Sequence, residues 1–366
     1  MKKNKVIITG LVLSLIVFLT TACYDDLLNR GQTESSEENN IRVTTAQGQD
    51  YLLGTFIQMK VRAVNPEEKI EQAMELIDEI EADMSLNLED SEINKINNAA
   101  GKEAVAVSEA TFEVVSSAVE YAQLSDGRFD PTVGPLVELW DISSGGREVE
   151  AGESQVPSAS EINEKLELIA YDMVDLDSST NEIYLQQEGM KLDIGGIAKG
   201  YAADVVIDYL TESQAQGGYI SLGGSVAVFG EKEGDSAWQV GIQDPLSTRG
   251  SVVASVELSD LAVDTSGNYE RYFMEDGVRY HHIVSTDNGY PVDAGVISAT
   301  ILSESSMEAD ALSTIVFTSG VDRGLDLIAE IDGVETMIIT DEQEVYLSDG
   351  IEEEIEILND DYQIIF

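Results

Sequence analysis

The segment Lys191-Leu192-Asp193-Ile194-Gly195-Gly196-Ile197-Ala198-Lys199-Gly200-Tyr201 constrains the chain most, because it reads as a short apolar strand, a double-glycine turn and the first turn of a helix. Amides at a helix N-terminus lack intrahelical partners and attract anions, and glycine lets a ligand approach the main chain. Lys199 adds a mobile positive charge. Asp193, at the strand end, can accept hydrogen bonds from a ribose or a base. The same glycine pair would also serve a tight connection that binds nothing, so the choice falls to the rest of the sequence.

A second stretch runs from Ser305 to Phe317 and is followed by Gly320. Ser305 with Glu308 three residues on is a capping-box pattern, and Gly320 stands where a helix would end. Asp310 and Thr314 are four apart, so a helix presents both on one face. A carboxylate and a hydroxyl are hard oxygen donors that suit Mg2+, which takes one or two protein carboxylates and fills its shell with phosphate and water. No lysine-bearing Walker loop is present. On their own, the two residues read first as an ordinary helix face turned to water.

Taken in order, the chain carries Leu53-Gly54-Thr55-Phe56, Met84 to Ile93, Ser125 to Leu136, Asp193 to Tyr201, Tyr219-Ile220-Ser221-Leu222-Gly223-Gly224, His282-Ile283-Val284 and Glu308-Ala309-Asp310-Ala311. This series resembles the ApbE family of FAD:protein FMN transferases over roughly residues 49 to 340. The resemblance implies Mg2+-dependent transfer of the FMN half of FAD to a Thr or Ser hydroxyl of an acceptor redox protein, with AMP leaving. It implies a metal site at the Gly196 carbonyl, Asp310 and Thr314, with Ser313 adjacent. It places FAD contacts at Leu53, Asn87, Arg128, Phe129, Asp130, Asp193, Lys199 and Val284, and a general base at His282. Two departures stand out: Leu53 replaces the family's usual Met, and Ile-Val-Ser-Thr follows His282 where relatives commonly carry Asp-Pro.

The residues support that chemistry on their own terms. Phosphoryl transfer asks a protein mainly to position the nucleophile and to neutralise charge on the phosphate oxygens. A metal on Asp310 and Thr314, helped by Lys199, would do the second. An imidazole such as His282, with an ordinary pKa near 6.5, could take the hydroxyl proton, and His281 beside it could equally face the site. The same residues would serve hydrolysis of FAD to FMN and AMP. A third reading is a surface lipoprotein that holds FAD without chemistry, which would have no use for a metal ligand at Asp310.

With 70 acidic against 20 basic residues, a formal charge of −50, the chain offers no basic stripe for nucleic acid. At 366 residues and 43% hydrophobic it can bury a large core. Lys2, Lys3 and Lys5 precede an apolar run from Val6 to Leu19 and then Thr20-Thr21-Ala22-Cys23, which resembles a lipoprotein signal cleaved before a lipid-bearing Cys23. That predicts a protein lipid-anchored to the cell membrane and facing its extracytoplasmic side. The expected organisation is a signal peptide over 1–23, a flexible tether over 24–49 rich in Ser, Glu, Asn, Thr and Gln, and a catalytic domain over 50–366.

Within that domain the patterns predict helices over Glu67 to Asp83, Ser108 to Ser125 and Ser160 to Ala170, and a surface loop from Asp141 to Ser160. Strands are predicted over Phe56 to Val61, Asn181 to Gln186, Gly218 to Leu222, Ser225 to Phe229, Trp238 to Ile242, Ser251 to Leu258, Leu261 to Thr265 and Val296 to Leu302. The class is α+β, and the resemblance implies a T-fold-like core with helices around a mixed or antiparallel sheet. Trp140 and the tyrosines read as core rather than as flavin-stacking groups.

Overall fold

The computed structural model describes residues 42–142, 147–148, 155–232, 234, 237–351 and 355–365. The signal peptide, Cys23 and residues 24–41 of the predicted tether lie outside the described residues, as do parts of the loop between Asp141 and Ser160. Among the described residues no helix is long and apolar enough to cross a membrane.

The framework is a nine-stranded sheet whose strands lie side by side in the order they occur along the chain. They are β1 (Thr44–Leu52), β2 (Thr55–Ala63), β3 (Gly217–Leu222), β4 (Ser225–Gly230), β5 (Ala262–Gly267), β6 (Val296–Ser303), β7 (Glu335–Thr340), β8 (Glu344–Leu347) and β9 (Gln363–Ile365). All neighbours are antiparallel except β8 and β9. The folded unit therefore takes in residues 44–49, which the sequence pattern assigns to the tether. Polar side chains along β1 hide its strand character, because β1 is an edge strand with mostly exposed side chains, held by its ladder to β2. The β1–β2 turn puts Leu53 and Gly54 both at positive φ, the geometry of a two-residue hairpin.

Period-two alternation divides the sheet into two cores. Ala227, Phe229, Ala262, Ala299, Ile301 and Ile338 point to a helical layer, while Val228, Val263, Leu302, Met337 and Ile339 point to a small sheet of Trp238–Gln243, Val252–Leu258 and Ile355–Ile357. Strand β6 is buried along its whole length, as a central strand covered on both faces must be.

Among the described residues, eight α-helices surround this frame: α1 (Pro66–Met84), α2 (Glu92–Ala99), α3 (Glu109–Leu124), α4 (Gly134–Trp140), α5 (Ala159–Leu166), α6 (Ala198–Glu212), α7 (Ser306–Ser319) and α8 (Val321–Ile328). Helix α1 buries Ile70, Ala73, Ile77, Ile80 and Met84, the i, i+3, i+7 stripe of an amphipathic helix, and each large side chain so buried contributes roughly 2 to 3 kcal/mol. Trp140 is a core residue: it is almost fully buried, donates its indole N–H to the Gly289 carbonyl at 2.7 Å, and packs against Phe273 and Tyr280. The fold is α+β with an antiparallel-dominated sheet, as the strand pattern requires.

Two local expectations give way to different geometry. Lys191 to Ile194 makes a single bridge, Lys191 to Val133, and no strand; side-chain bonds from Asn97 to the Leu192 main chain, at 2.7 and 3.0 Å, fix it instead. Ser305 caps α7 by accepting from the Glu308 amide at 3.2 Å, but the Glu308 carboxylate accepts from Ser303 Oγ at 2.6 Å, so the box stays half closed.

Candidate active site

The site forms where α6 and α7 cross above β5. The helices approach so closely at Gly200 that a Cβ there would overlap the Ser306 carbonyl oxygen and lie 2.6 Å from Met307 Cα. One turn further along α6, the Asp204 carboxylate accepts from Ser305 Oγ at 2.8 Å, the Ser306 amide at 2.7 Å and the Met307 amide at 3.0 Å. A carboxylate of α6 thus completes the positive end of α7 and fixes the two helices together.

That docking carries the predicted groups to one place. The Lys199 ammonium lies 2.8 and 2.9 Å from the two oxygens of Asp310 and 3.2 Å from the Gly195 carbonyl, and the Gly200 amide donates to Asp310 at 3.0 Å. Asp310 is 3% exposed, so its charge needs these partners. Burial alone would lower the Lys199 pKa, but Asp310 and Asp264 outweigh it and hold the ammonium up. Thr314 lies one turn beyond, with Oγ1 3.1 Å from Ser266 Oγ. Gly196 passes beside it: a Cβ there would stand 3.6 Å from Thr314 Oγ1 and 3.2 Å from the ring of Phe129. Asp310 and Thr314, with the Gly196 main chain beside them, therefore form an oxygen-donor corner. Its one carboxylate, now paired with the Lys199 ammonium, and its neutral oxygens are donors of the kind a hard divalent cation takes.

Asp193 follows the bridge at Lys191, accepts from the Gly195 amide at 2.9 Å and donates its own amide to Pro131 at 2.7 Å. Burial raises its pKa against the pull of that amide, Arg271 and Lys199. His282 follows a hairpin of Tyr272–Glu275 with Val278–His281, and both its amide and Nδ1 reach the Arg271 carbonyl, at 3.1 and 3.3 Å. Because a carbonyl only accepts, Nδ1 carries the proton and Nε2 keeps its lone pair. Burial, then Arg271, then His281 hold the His282 pKa well below the usual imidazole value, so the ring is neutral at neutral pH. His281 is committed elsewhere: it is buried, donates Nε2–H to Val292 at 2.9 Å and meets Phe317 edge-on.

The remaining predicted contacts divide. Phe129 is buried against Gly196. Arg128 lines a cavity of about 160 Å³ with Ser285, Thr286 and Asp293, and donates to the Ser125 carbonyl at 3.4 Å. Leu53, held at φ 52°, donates its amide to Glu81 at 2.9 Å, and Asn87 lies on a loop that Asn94 anchors by donating to the Leu86 and Leu88 carbonyls. Asp130 spends its carboxylate on the amide and hydroxyl of Thr132, at 2.8 and 2.7 Å, and on the Tyr171 amide at 3.1 Å. Val284 buries its side chain in the cluster around Trp140. The side chains of Asp130 and Val284 thus support the scaffold.

The sequence reading misses Asp264, Ser225, Ser266 and Arg271. Asp264, 4% exposed on β5, accepts from Ser225 Oγ and from Ser313 Oγ at 3.3 Å. Ser313 in turn contacts Ser266 at 2.9 Å. Burial, and then the neighbouring Asp310 charge, push the Asp264 carboxyl up to about 7. The signal was an aspartate inside the apolar strand Leu261-Ala262-Val263-Asp264, where a buried carboxylate is costly and wants a reason.

Comparison with known proteins gives one answer. The ApbE family model matches residues 53–338. The FAD:protein FMN transferase of Klebsiella pneumoniae is 34% identical over 86% of this chain and 95% of its own, and that of Treponema pallidum is 32% identical over 87% and 91%. The crystal structure of the ApbE protein of Thermotoga maritima superposes with a TM-score of 0.76 at 35% identity, covering 85% of this chain and 99% of its own. The flavin transferase ApbE from Vibrio cholerae gives 0.76 at 28%, covering 86% and 100%.

Proposed function

The chain belongs to the ApbE family, and on that premise we propose that it transfers FMN from FAD to a Ser or Thr hydroxyl of an acceptor redox protein, with Mg2+ required and AMP released. The observation that carries this reading is the Lys199–Asp310 pair beside Thr314 and the Gly196 main chain, a cation-holding corner at the entrance of a helix. In the transfer, the acceptor oxygen forms a bond to the FMN phosphorus. The bond from that phosphorus to the bridging oxygen breaks, and the oxygen leaves on AMP. Mg2+ held by Asp310, Thr314 and the Gly196 carbonyl would supply Lewis acidity at the diphosphate.

The chain's own groups do the rest. Lys199 offers the diphosphate a positive charge from the first turn of α6. Asp193, beside it, can accept from the adenosine or flavin portion of FAD. His282, neutral and with Nδ1–H fixed on the Arg271 carbonyl, presents Nε2 to take the acceptor's hydroxyl proton. We also infer that Cys23 carries lipid and anchors the enzyme on the extracytoplasmic side of the cell membrane, where exported acceptors are within reach; the basis is the signal pattern of residues 2–23.

Substitution Asp310→Ala tests the reading. It should abolish Mg2+-dependent AMP release while FAD still binds, as followed by quenching of flavin fluorescence. Undiminished turnover would contradict the metal assignment.

A further inference from the structure

Both oxygens of Asp310 are occupied. Lys199 Nζ lies 2.8 Å from Oδ1 and 2.9 Å from Oδ2, and Oδ2 also takes the Gly200 amide at 3.0 Å. A divalent cation binds oxygen at about 2.1 Å, so an ammonium left in that position would share a desolvated carboxylate with a second cation. Like charges so close in a buried site repel strongly, and the 4% exposed Asp310 side chain leaves little water to screen them. The ammonium has a place to retreat: the Gly195 carbonyl is already 3.2 Å away.

We propose that Lys199 is a displaceable placeholder for the metal, neutralising Asp310 in the metal-free enzyme and giving up the carboxylate when a divalent cation enters. The proposal rests on the reading that Asp310 is the metal-binding carboxylate. Placeholder and metal compete for one ligand, so the apparent metal affinity is lowered by the fraction of molecules in which Lys199 holds Asp310. The arrangement also explains how α7 keeps a buried carboxylate in place without metal. An unpaired charge there would be costly, and Lys199 removes that cost.

The test titrates Mn2+ into the nucleotide-free full-length chain, read by the loss of free Mn2+ signal in electron paramagnetic resonance and by the melting temperature. Lys199→Met should melt below wild type without metal, bind Mn2+ about tenfold more tightly and gain more melting temperature from it, since the competing ammonium is gone. Affinity equal to or weaker than wild type would overturn the placeholder. Should Lys199→Met fail to fold, wild type supplies a second readout. Acetylation of Lys199, mapped by peptide mass spectrometry, should speed up several-fold when Mn2+ releases the ammonium, and an unchanged rate would overturn the proposal. Asp310→Asn separates the two levels of the argument. Lost Mn2+ binding in Asp310→Asn together with unchanged affinity in Lys199→Met overturns the exchange alone, whereas undiminished binding in Asp310→Asn overturns the metal site and the proposal with it.

Discussion

Gly200→Ala probes the crossing on which the site depends. The added Cβ would overlap the Ser306 carbonyl oxygen and lie 2.6 Å from Met307 Cα, both main-chain atoms of the first turn of α7. Alanine favours a helix over glycine by about 1 kcal/mol, but α7 must move outward to admit the methyl, and overpacking of this kind costs typically 1 to 3 kcal/mol. Main chain cannot rotate away as a side-chain tip can, so the upper end applies and the net loss is about 2 kcal/mol. Unfolding entropy near 2.1 cal/mol/K per residue makes that a fall of about 3 °C in the melting temperature of a chain this long. The same shift draws Asp310 away from the Gly200 amide and Lys199, so metal-dependent transfer should fall at least about tenfold, a loss of 1.4 kcal/mol in the transition state. Differential scanning calorimetry and FMN transfer measured on one preparation make the check. A melting temperature within about 1 °C of wild type together with full transfer would refute the claim that close helix contact builds the site.

The two neighbouring histidines should separate by assay. His282→Ala should slow transfer at least about 100-fold with FAD affinity kept, whereas His281→Ala, which removes the bond to Val292 and the edge contact with Phe317, should lower the melting temperature, the lost buried hydrogen bond costing about 1 to 3 kcal/mol; transfer by His282→Ala within threefold of wild type would remove it as the base. Asp264 gives a pH signature. Burial pushes its folded carboxyl up to about 7 while the unfolded one keeps the ordinary carboxylate value of 3.8, so the folded state binds the extra proton between those values and stability falls as pH rises through that window. Asp264→Asn should therefore show a shallower loss of melting temperature between pH 5 and pH 7.5 than wild type, and identical slopes would contradict the buried-carboxylate assignment.

Much of this was legible in the residues, for physical reasons that can be named. Strands β3 to β6 alternate or run apolar because one or both faces are buried, and the predicted spans agree with them to within two residues at either end. Helices α1, α3 and α7 carry readable starts at Pro66, Ser108 and Ser305. Edge strand β1 was hidden because most of its side chains meet solvent, while its ladder to β2 and the packing of Ala46 and Leu52 against the core hold it. The bridge at Lys191 imitates a strand because Leu192 and Ile194 are buried like strand residues while Asn97 supplies the main-chain partners. In the site, the helical spacing of Asp310 and Thr314 showed only that they share a helix face, and the family resemblance singled them out. Asp264 and Arg271 were not visible, because their link to Asp310 and His282 arises only when β5 lies under α7 and the 272–281 hairpin folds back. No local spacing encodes such a meeting.

Intact mass of an acceptor protein bearing an exposed Thr, incubated with the full-length chain and FAD with or without Mg2+, tests the central claim most directly. Transfer predicts a gain of one FMN on that Thr, together with AMP, only when Mg2+ is present. AMP and free FMN with no change in the acceptor's mass, or no product at all, would contradict it.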